Sequence, residues 1–192
     1  MYINENINKS QMQNQTYTSY KNKKYLYFFF TFLLFVTIYS RIGYWNTIII
    51  AERWDEMSYL LAGKYIVNKQ IPHIDFWDHK TVFAFLPYAL ASFGENQILI
   101  IRILGTFSVF LTSVLIFFQL QKLFNIGIAQ ICSLLFILLN SNPYYQNTGL
   151  TIIAYPLIAY LSLILLNSDK FDRLKCFQIG IIVSLICLIK LN

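Results

Sequence analysis

The sequence predicts an all-α integral membrane protein, and its composition, its hydropathy and the length of its apolar blocks all indicate this class. Of 192 residues, 57% are hydrophobic and only 12% are charged, whereas a soluble domain has about 25% charged residues. The mean hydropathy is +0.52. The apolar residues form blocks close to the roughly 20 residues that a membrane-spanning helix needs. A water-soluble core that buried all of these blocks would leave almost no polar surface.

Five apolar blocks are predicted to be the transmembrane helices of a polytopic protein. They cover residues 25–45, 98–120, 126–142, 150–166 and 177–192. The fifth block is shorter than a comfortable crossing, because the sequence stops at Asn192. We therefore expect four complete spans and one truncated span within a transmembrane module that covers residues 25–192.

Lys and Arg residues predict the orientation of the spans, because cytoplasmic loops carry an excess of both. They occur in three segments that fall on one side if every span crosses: Lys9, Lys21, Lys23 and Lys24; Lys122; and Lys170, Arg173 and Lys175. The polar residues 1–24 are then a disordered cytoplasmic tail, and residues 46–96 form an outer loop. The net charge of +6 reflects this topology, since no basic face with stacking aromatics indicates a nucleic-acid partner.

The cysteines indicate no disulfide framework and no metal site. Cys132, Cys176 and Cys187 are odd in number, widely spaced, and within or beside the predicted spans. This arrangement matches neither paired disulfides nor a zinc motif. The sequence also contains no Gly-rich phosphate loop and no internal repeat, so the outer loop is the segment that carries chemistry.

The outer loop begins with an acidic pair and a predicted amphipathic helix. Asp55 and Glu56 follow the first span closely, which places them at or near the outer membrane surface. Apolar residues then recur at helical spacing beside two lysines that can face lipid headgroups: Met57, Leu60, Leu61 and Tyr65, with Lys64 and Lys69. This pattern is typical of a helix that lies along the membrane interface. We expect it to end at Ile71 and Pro72, since the residue before proline disfavours helix.

A polar strip and a second short helix complete the outer loop. Residues 73–80 read His-Ile-Asp-Phe-Trp-Asp-His-Lys. Residues 81–94 are apolar, interrupted by Pro87 and too short to span a bilayer. They are predicted to form a second interfacial or re-entrant helix, so that two interfacial helices frame the polar strip and the acidic pair.

These features, in this order, resemble the N-terminal part of the GT-C fold membrane glycosyltransferases. The similar group is the family 39-like one, related to dolichyl-phosphate-mannose protein mannosyltransferases and lipid A aminoarabinose transferases. The resemblance covers roughly residues 45–192. It is carried by the Asp55-Glu56 pair, the Asp-Phe-Trp-Asp-His-Lys stretch at residues 75–80, Phe93-Gly94, Arg102 at the start of a span and Lys190 at the end of one.

The chain departs from the family pattern in two ways. Thr81-Val82 stands where family members usually have Pro-Pro, which is expected to change how Lys80 is presented. Members of the family are also far longer, with more spans and often a soluble outer domain. The resemblance therefore implies that this chain holds only the N-terminal third to half of such an enzyme, and the truncated fifth span indicates the same.

The resemblance implies an inverting transferase that uses a polyprenyl-phosphate sugar at the outer face of a bacterial plasma membrane. The acceptor hydroxyl loses a proton as it attacks the anomeric carbon, so Asp55, which matches the family's catalytic aspartate, would act as general base. Glu56 would position groups or bind a metal. A departing phosphate needs positive charge, and the substrate-binding residues implied are Lys80, Arg102, His79 and Asp78.

Each of these residues also has a structural interpretation. Arg102 can extend to lipid headgroups, and Lys190 can simply mark the end of a helix. Four side chains of the polar strip offer ligands for a divalent metal: His73, Asp75, Asp78 and His79. Their spacing matches no fixed metal motif, and a hydrated loop anchored at the interface by Trp77 explains them equally well. No other cofactor is indicated.

Two functions from different classes follow from the sequence. The first is a glycosyltransferase, or its N-terminal fragment, that acts on a lipid, glycan or protein acceptor. The second is a non-catalytic membrane protein, either a truncated remnant or a partner subunit that binds lipid-linked sugar. A transporter is disfavoured, since the spans contain almost no ionisable residues for an ion path. The acidic pair distinguishes the two functions, because only the enzyme requires Asp55.

Overall fold

The structure is a computed structural model that describes residues 24–41, 54–76, 80–141, 150–167 and 172–190. In these ranges all regular secondary structure is helical, apart from one bridge pairing between Pro72 and Phe76. The helices are α1 (residues 24–41), α2 (Trp54–Val67), α3 (Val82–Ala91), α4 (Gln97–Leu123), α5 (Ile126–Leu139), α6 (Leu150–Leu166) and α7 (Arg173–Lys190). The predicted all-helical class is confirmed, whereas the predicted tail lies, up to residue 23, outside the described residues.

Side-chain caps define where three of the helices begin. Asn96, Asn125 and Asp172 each accept a hydrogen bond from the backbone N–H three residues later, at 3.0, 2.9 and 2.8 Å. Such a cap satisfies an N–H that has no partner within the helix. The cap at Asp172 starts α7 before residue 177, so the helix begins ahead of the apolar block predicted to span the membrane. α5 ends at its C-cap Asn140, and residue 142, where the predicted span ends, lies outside the described residues.

The C-terminus of α2 also differs from the prediction, because the helix ends before residues 71–72 are reached. Lys69 adopts a left-handed φ of 65°. The backbone N–H of Gln70 donates to the Tyr65 carbonyl at 3.0 Å, and that of Lys69 donates to the Ile66 carbonyl at 2.9 Å. These two bonds form a Schellman motif, which ends a helix without any need for the proline.

The length of α4 bears on the predicted membrane location. Among the described helices, α4 is the one that is long and apolar enough to cross a membrane, with 27 residues. The other apolar helices, α3, α5 and α6, are shorter, at 10–17 residues. One long apolar helix also occurs in the cores of soluble proteins, so the multi-pass membrane arrangement stays a prediction.

The chain divides into two compact units, residues 1–36 and residues 37–192. In the second unit α4 is the central helix and contacts α3, α5 and α6. In the same unit α2 packs on α3, and α7 packs on α6 and α3. The core of this unit is formed by residues from α2, α3, α4, α6 and α7, among them Tyr59, Leu60, Phe85, Tyr88, Ile101, Leu150, Ala154 and Ile189.

One face of α2 is buried within the second unit of the chain. Leu60 is buried, whereas Leu61 is 49% exposed. The neighbouring Ala62 and Gly63 are buried instead. A Cβ atom at Gly63 would lie only 2.5 Å from the carbonyl carbon of Tyr88. The backbones of α2 and α3 therefore approach so closely at this point that the contact admits glycine but no residue with a Cβ atom.

We predict that Gly63→Ala lowers the stability of the chain by about 1–3 kcal/mol, because the added methyl group forces the two helices apart. The matched control is Gly180→Ala in α7, where no heavy atom lies within 4 Å of the added Cβ. Alanine has the higher helix propensity, so this control should be stabilised by up to about 1 kcal/mol. Thermal unfolding in detergent measures both changes. A melting temperature for Gly63→Ala at or above that of wild type would contradict this packing.

Candidate functional site

A buried ion pair joins the first turn of α2 to the second turn of α4. Glu56 and Arg102 are 0% and 1% exposed, and Arg102 Nε lies 3.9 Å from Glu56 Oε1. Removal of a charge from water is costly, and only an opposite charge held close by offsets that cost. The sequence predicted separate roles for these two residues, whereas the structure brings them together and makes each dependent on the other.

The ion pair distinguishes the two residues of the acidic pair. A general base must come within hydrogen-bond reach of the proton that it removes. Glu56 is enclosed against Arg102, so its carboxylate is not available to an incoming hydroxyl. Asp55 is the preceding residue of α2, and its side chain lies outside the described part of the structure. The predicted substrate-binding residues Asp78 and His79 also lie outside the described residues.

Lys80 lies immediately before α3 and is only 7% exposed. The next residue, Thr81, is the N-cap of α3 with φ −74° and ψ 159°. Its hydroxyl donates a hydrogen bond to the Leu188 carbonyl in the last turn of α7, the turn that ends at Lys190. Proline imposes a φ near −65°, so the backbone at Thr81 would also suit proline, but proline could not make this hydrogen bond. The end of α7 thus lies beside the segment that carries Lys80.

Aromatic side chains hold α2, α3 and the intervening turn together next to the ion pair. Tyr59 lies one turn after Glu56 in α2. Its ring is 5.4 Å from that of Tyr88 and 6.1 Å from that of Phe85. The ring of Phe76 lies 6.2 Å from Phe85 and 5.3 Å from Tyr65. Tilted aromatic contacts of this kind stabilise beyond the area that they bury. Through Phe76, these contacts hold the first part of the polar strip against α2 and α3.

The turn at residues 71–76 uses one of the side chains considered for a metal site. The backbone N–H of Ile71 donates to Asp75 Oδ2 at 2.6 Å. The N–H of His73 donates to the Phe76 carbonyl at 2.8 Å, and His73 has a φ of 68°. Within the ranges that the structure describes, no group of three or more His, Cys, Asp or Glu side chains comes together. Asp75 therefore has a structural role in this turn.

A second buried arginine was not anticipated from the sequence. Arg41, in the last turn of α1, is fully buried. Its Nε donates to Thr106 Oγ1 at 3.3 Å, and its Nη1 donates to the Asn140 carbonyl oxygen at 3.1 Å. The signal available in the sequence was its position inside a predicted span, since an ionisable residue there usually faces the interior of the protein.

A comparison of this chain with protein-family models, with curated protein sequences and with solved structures found no match. The candidate site is therefore defined by the residues of this chain alone. These are the Glu56–Arg102 pair, Asp55 beside it in α2, and Lys80 at the start of α3. These residues come from α2, from α4 and from the segment just before α3, all within the second unit of the chain.

We predict that Glu56→Leu and Arg102→Met each destabilise the chain by about 3–5 kcal/mol, because either change removes the partner of a buried charge. The double variant replaces the pair with apolar side chains and should recover most of that loss. Thermal unfolding in detergent of wild type, both single variants and the double variant measures the effect. Glu95→Leu, at an exposed carboxylate between α3 and α4, is the control and should change little. Strictly additive losses in the double variant would show that the two charges do not depend on each other.

We predict that Thr81→Val lowers the free energy of unfolding by about 1 kcal/mol, the typical contribution of one hydrogen bond. Thr81 makes no side-chain cap hydrogen bond within α3, so the loss reports on the contact with Leu188 of α7. Thr81→Ser keeps the hydroxyl and should behave as wild type, whereas Thr81→Pro keeps the backbone angle and should behave as Thr81→Val. Equal melting temperatures for the valine and serine variants would contradict a role for the hydroxyl.

Proposed function

We propose that the chain is a membrane glycosyltransferase, or the N-terminal part of one. It transfers a sugar from a polyprenyl-phosphate donor to a lipid, glycan or protein acceptor at the outer face of the membrane. The observation that carries the proposal is the burial of Glu56 against Arg102, directly beside Asp55. This contact holds a carboxylate-bearing helix at the N-terminal end of the membrane-length helix α4, where a lipid-linked donor would meet it.

The surface of the helices supports a membrane location. Large apolar side chains stay exposed along α4, α5 and α7, and several of them are 50% to 71% exposed, among them Phe107, Ile131, Leu135, Leu139 and Phe177. An extensive apolar surface is unfavourable in water, whereas lipid tails solvate it. Between the helices, Ser113 Oγ donates to the Ser133 carbonyl at 2.9 Å. Small polar residues that bond across helices in this way are common in membrane proteins.

The proposed reaction is a single displacement at the anomeric carbon of the sugar. Asp55 takes the proton of the acceptor hydroxyl while the acceptor oxygen forms its bond to that carbon. The bond between the anomeric carbon and the phosphate oxygen breaks, and polyprenyl phosphate leaves with the electron pair. The acceptor attacks from the side opposite to the phosphate, so the configuration at the anomeric carbon is inverted.

The basic residues have different parts in this reaction. Lys80, at the start of α3, supplies the positive charge that stabilises the departing phosphate. Arg102 is engaged by Glu56, so its part is to position α2 and with it Asp55. Asp78 and His79 directly precede Lys80 in the sequence, and we assign them to binding of the donor on that ground.

The test compares Asp55→Asn with Glu95→Gln, which removes an exposed carboxylate from the turn before α4. Membranes that contain each variant are incubated with radiolabelled polyprenyl-phosphate mannose and, in parallel, with polyprenyl-phosphate aminoarabinose. The release of polyprenyl phosphate is then measured. Because a general base contributes about 100-fold or more to a rate, Asp55→Asn should lower release by at least about that factor. Glu95→Gln should keep the wild-type rate, and both variants should sediment with the membranes.

The other outcomes separate the alternatives. Release by Asp55→Asn at the wild-type rate would refute the proposed base. If wild-type membranes released no polyprenyl phosphate while polyprenyl phosphate raised the melting temperature of the purified chain, the non-catalytic alternative would replace the enzyme. The chain would then be a remnant or a partner subunit that binds the lipid-linked sugar. Recovery of the chain in the soluble fraction would refute a membrane location for both.

A further inference from the structure

Arg41 connects the last turn of α1 to two other helices of the second unit. Its Nε donates to Thr106 Oγ1 of α4 at 3.3 Å, and its Nη1 donates at 3.1 Å to the carbonyl of Asn140, the C-cap of α5. The guanidinium suits this place because the C-terminus of a helix carries partial negative charge. It also presents donors in several directions at once. Arg41 therefore fixes three helices at one buried point.

The Thr106 hydroxyl extends this contact toward the candidate site. It accepts a hydrogen bond from Arg41 and donates one to the Arg102 carbonyl oxygen at 2.8 Å. A hydroxyl has one donor and two acceptor positions, so both bonds form together. Both α4 residues are buried, and water therefore does not substitute for either bond.

Helix geometry links the Arg41 contact to the ion pair. Residues four apart are neighbours on one face of an α-helix, so Thr106 and Arg102 lie on the same side of α4. A rotation of α4 about its axis moves both side chains together. The bond from Arg41 to Thr106 thus restricts rotation of α4. In this way it helps to keep Arg102 Nε 3.9 Å from Glu56 Oε1.

We propose that Arg41 is a positioning residue that, by holding Thr106, fixes the rotation of α4 at which Arg102 meets Glu56. Its effect on sugar transfer rests on the proposed function, because it reaches Asp55 only through the neighbouring Glu56. The structural coupling between Arg41 and the ion pair does not rest on it. Arg41 therefore acts on the site from α1, without being part of the ion pair itself.

A double-mutant cycle in thermal unfolding tests this coupling. Arg41→Gln, Glu56→Gln and the double variant of the full chain are compared with wild type in detergent. Residues in one network are not additive, so the double variant should lose at most about three quarters of the summed decreases in melting temperature. The matched control is Ser113→Ala, which removes a different α4 bond, the one to the Ser133 carbonyl. Its decrease should add fully to that of Glu56→Gln, and full additivity for Arg41→Gln as well would overturn the proposal.

Thr106 provides a second arm if Arg41→Gln does not fold. Thr106→Val keeps the side-chain volume and removes both hydroxyl bonds, whereas Thr106→Ser keeps them. Thr106→Val should couple to Glu56→Gln in the same way as Arg41→Gln, and Thr106→Ser should match wild type. Indistinguishable behaviour of the valine and serine variants would overturn the path through the hydroxyl.

Transfer activity is a separate measurement. If Arg41 only stabilised the fold, its substitution would not produce the following pattern of kcat and KM values. Arg41→Gln should lower kcat by about tenfold, since small displacements of a catalytic group reduce rates strongly. It should leave KM for the donor unchanged and lower kcat less in a Glu56→Gln background. An unchanged kcat in an active chain would overturn the role in transfer. A chain without activity would refute the proposed function, while the unfolding cycle would still decide on Arg41.

Discussion

The contact between Glu56 and Arg102 is the interaction on which the arrangement of the candidate site depends. Each charge has given up its hydration, and the opposite charge, with Arg102 Nε 3.9 Å from Glu56 Oε1, recovers part of that loss. One partner lies on the short helix α2 and the other on the long helix α4, so the pair orients the two helices. Asp55, which precedes Glu56 in α2, is placed by the same contact. The proposed chemistry therefore depends on a pair that does not itself react.

Apolar packing around the pair positions the remaining charge of the site. The rings of Tyr59 and Tyr88 and the close approach at Gly63 hold α3 against α2. The hydroxyl of Thr81 then connects the start of α3 to the last turn of α7. Lys80 is buried as a consequence, although a lysine is rarely buried without a specific reason. The phosphate binding proposed for Lys80 and the placement of the acidic residues thus depend on neighbouring contacts of α2 and α3.

The helices were predictable from the sequence where a long apolar block defined them. α6 covers residues 150–166, the same residues as the fourth apolar block, because such a block leaves little choice of structure. The end of α2 was wrong because Lys69 takes a left-handed conformation that is usually indicated by Gly or Asn. Which face of α2 is buried within the protein was not predicted from the sequence. The α3 backbone approaches α2 closely at Gly63, and the spacing of apolar residues along one helix does not reveal such a contact.

The sequence by itself determined the helical class of this protein and the few charged residues that interrupt its apolar helices. Both are local properties, since the length of an apolar block and the position of a charge are read directly along the chain. Only the tertiary structure decided that Glu56 pairs with Arg102 and that Arg41 reaches Thr106. These partners are far apart in the chain, and they meet because residues 37–192 pack into one compact unit. The choice of partner for a buried charge depends on that packing, which no local pattern of residues specifies.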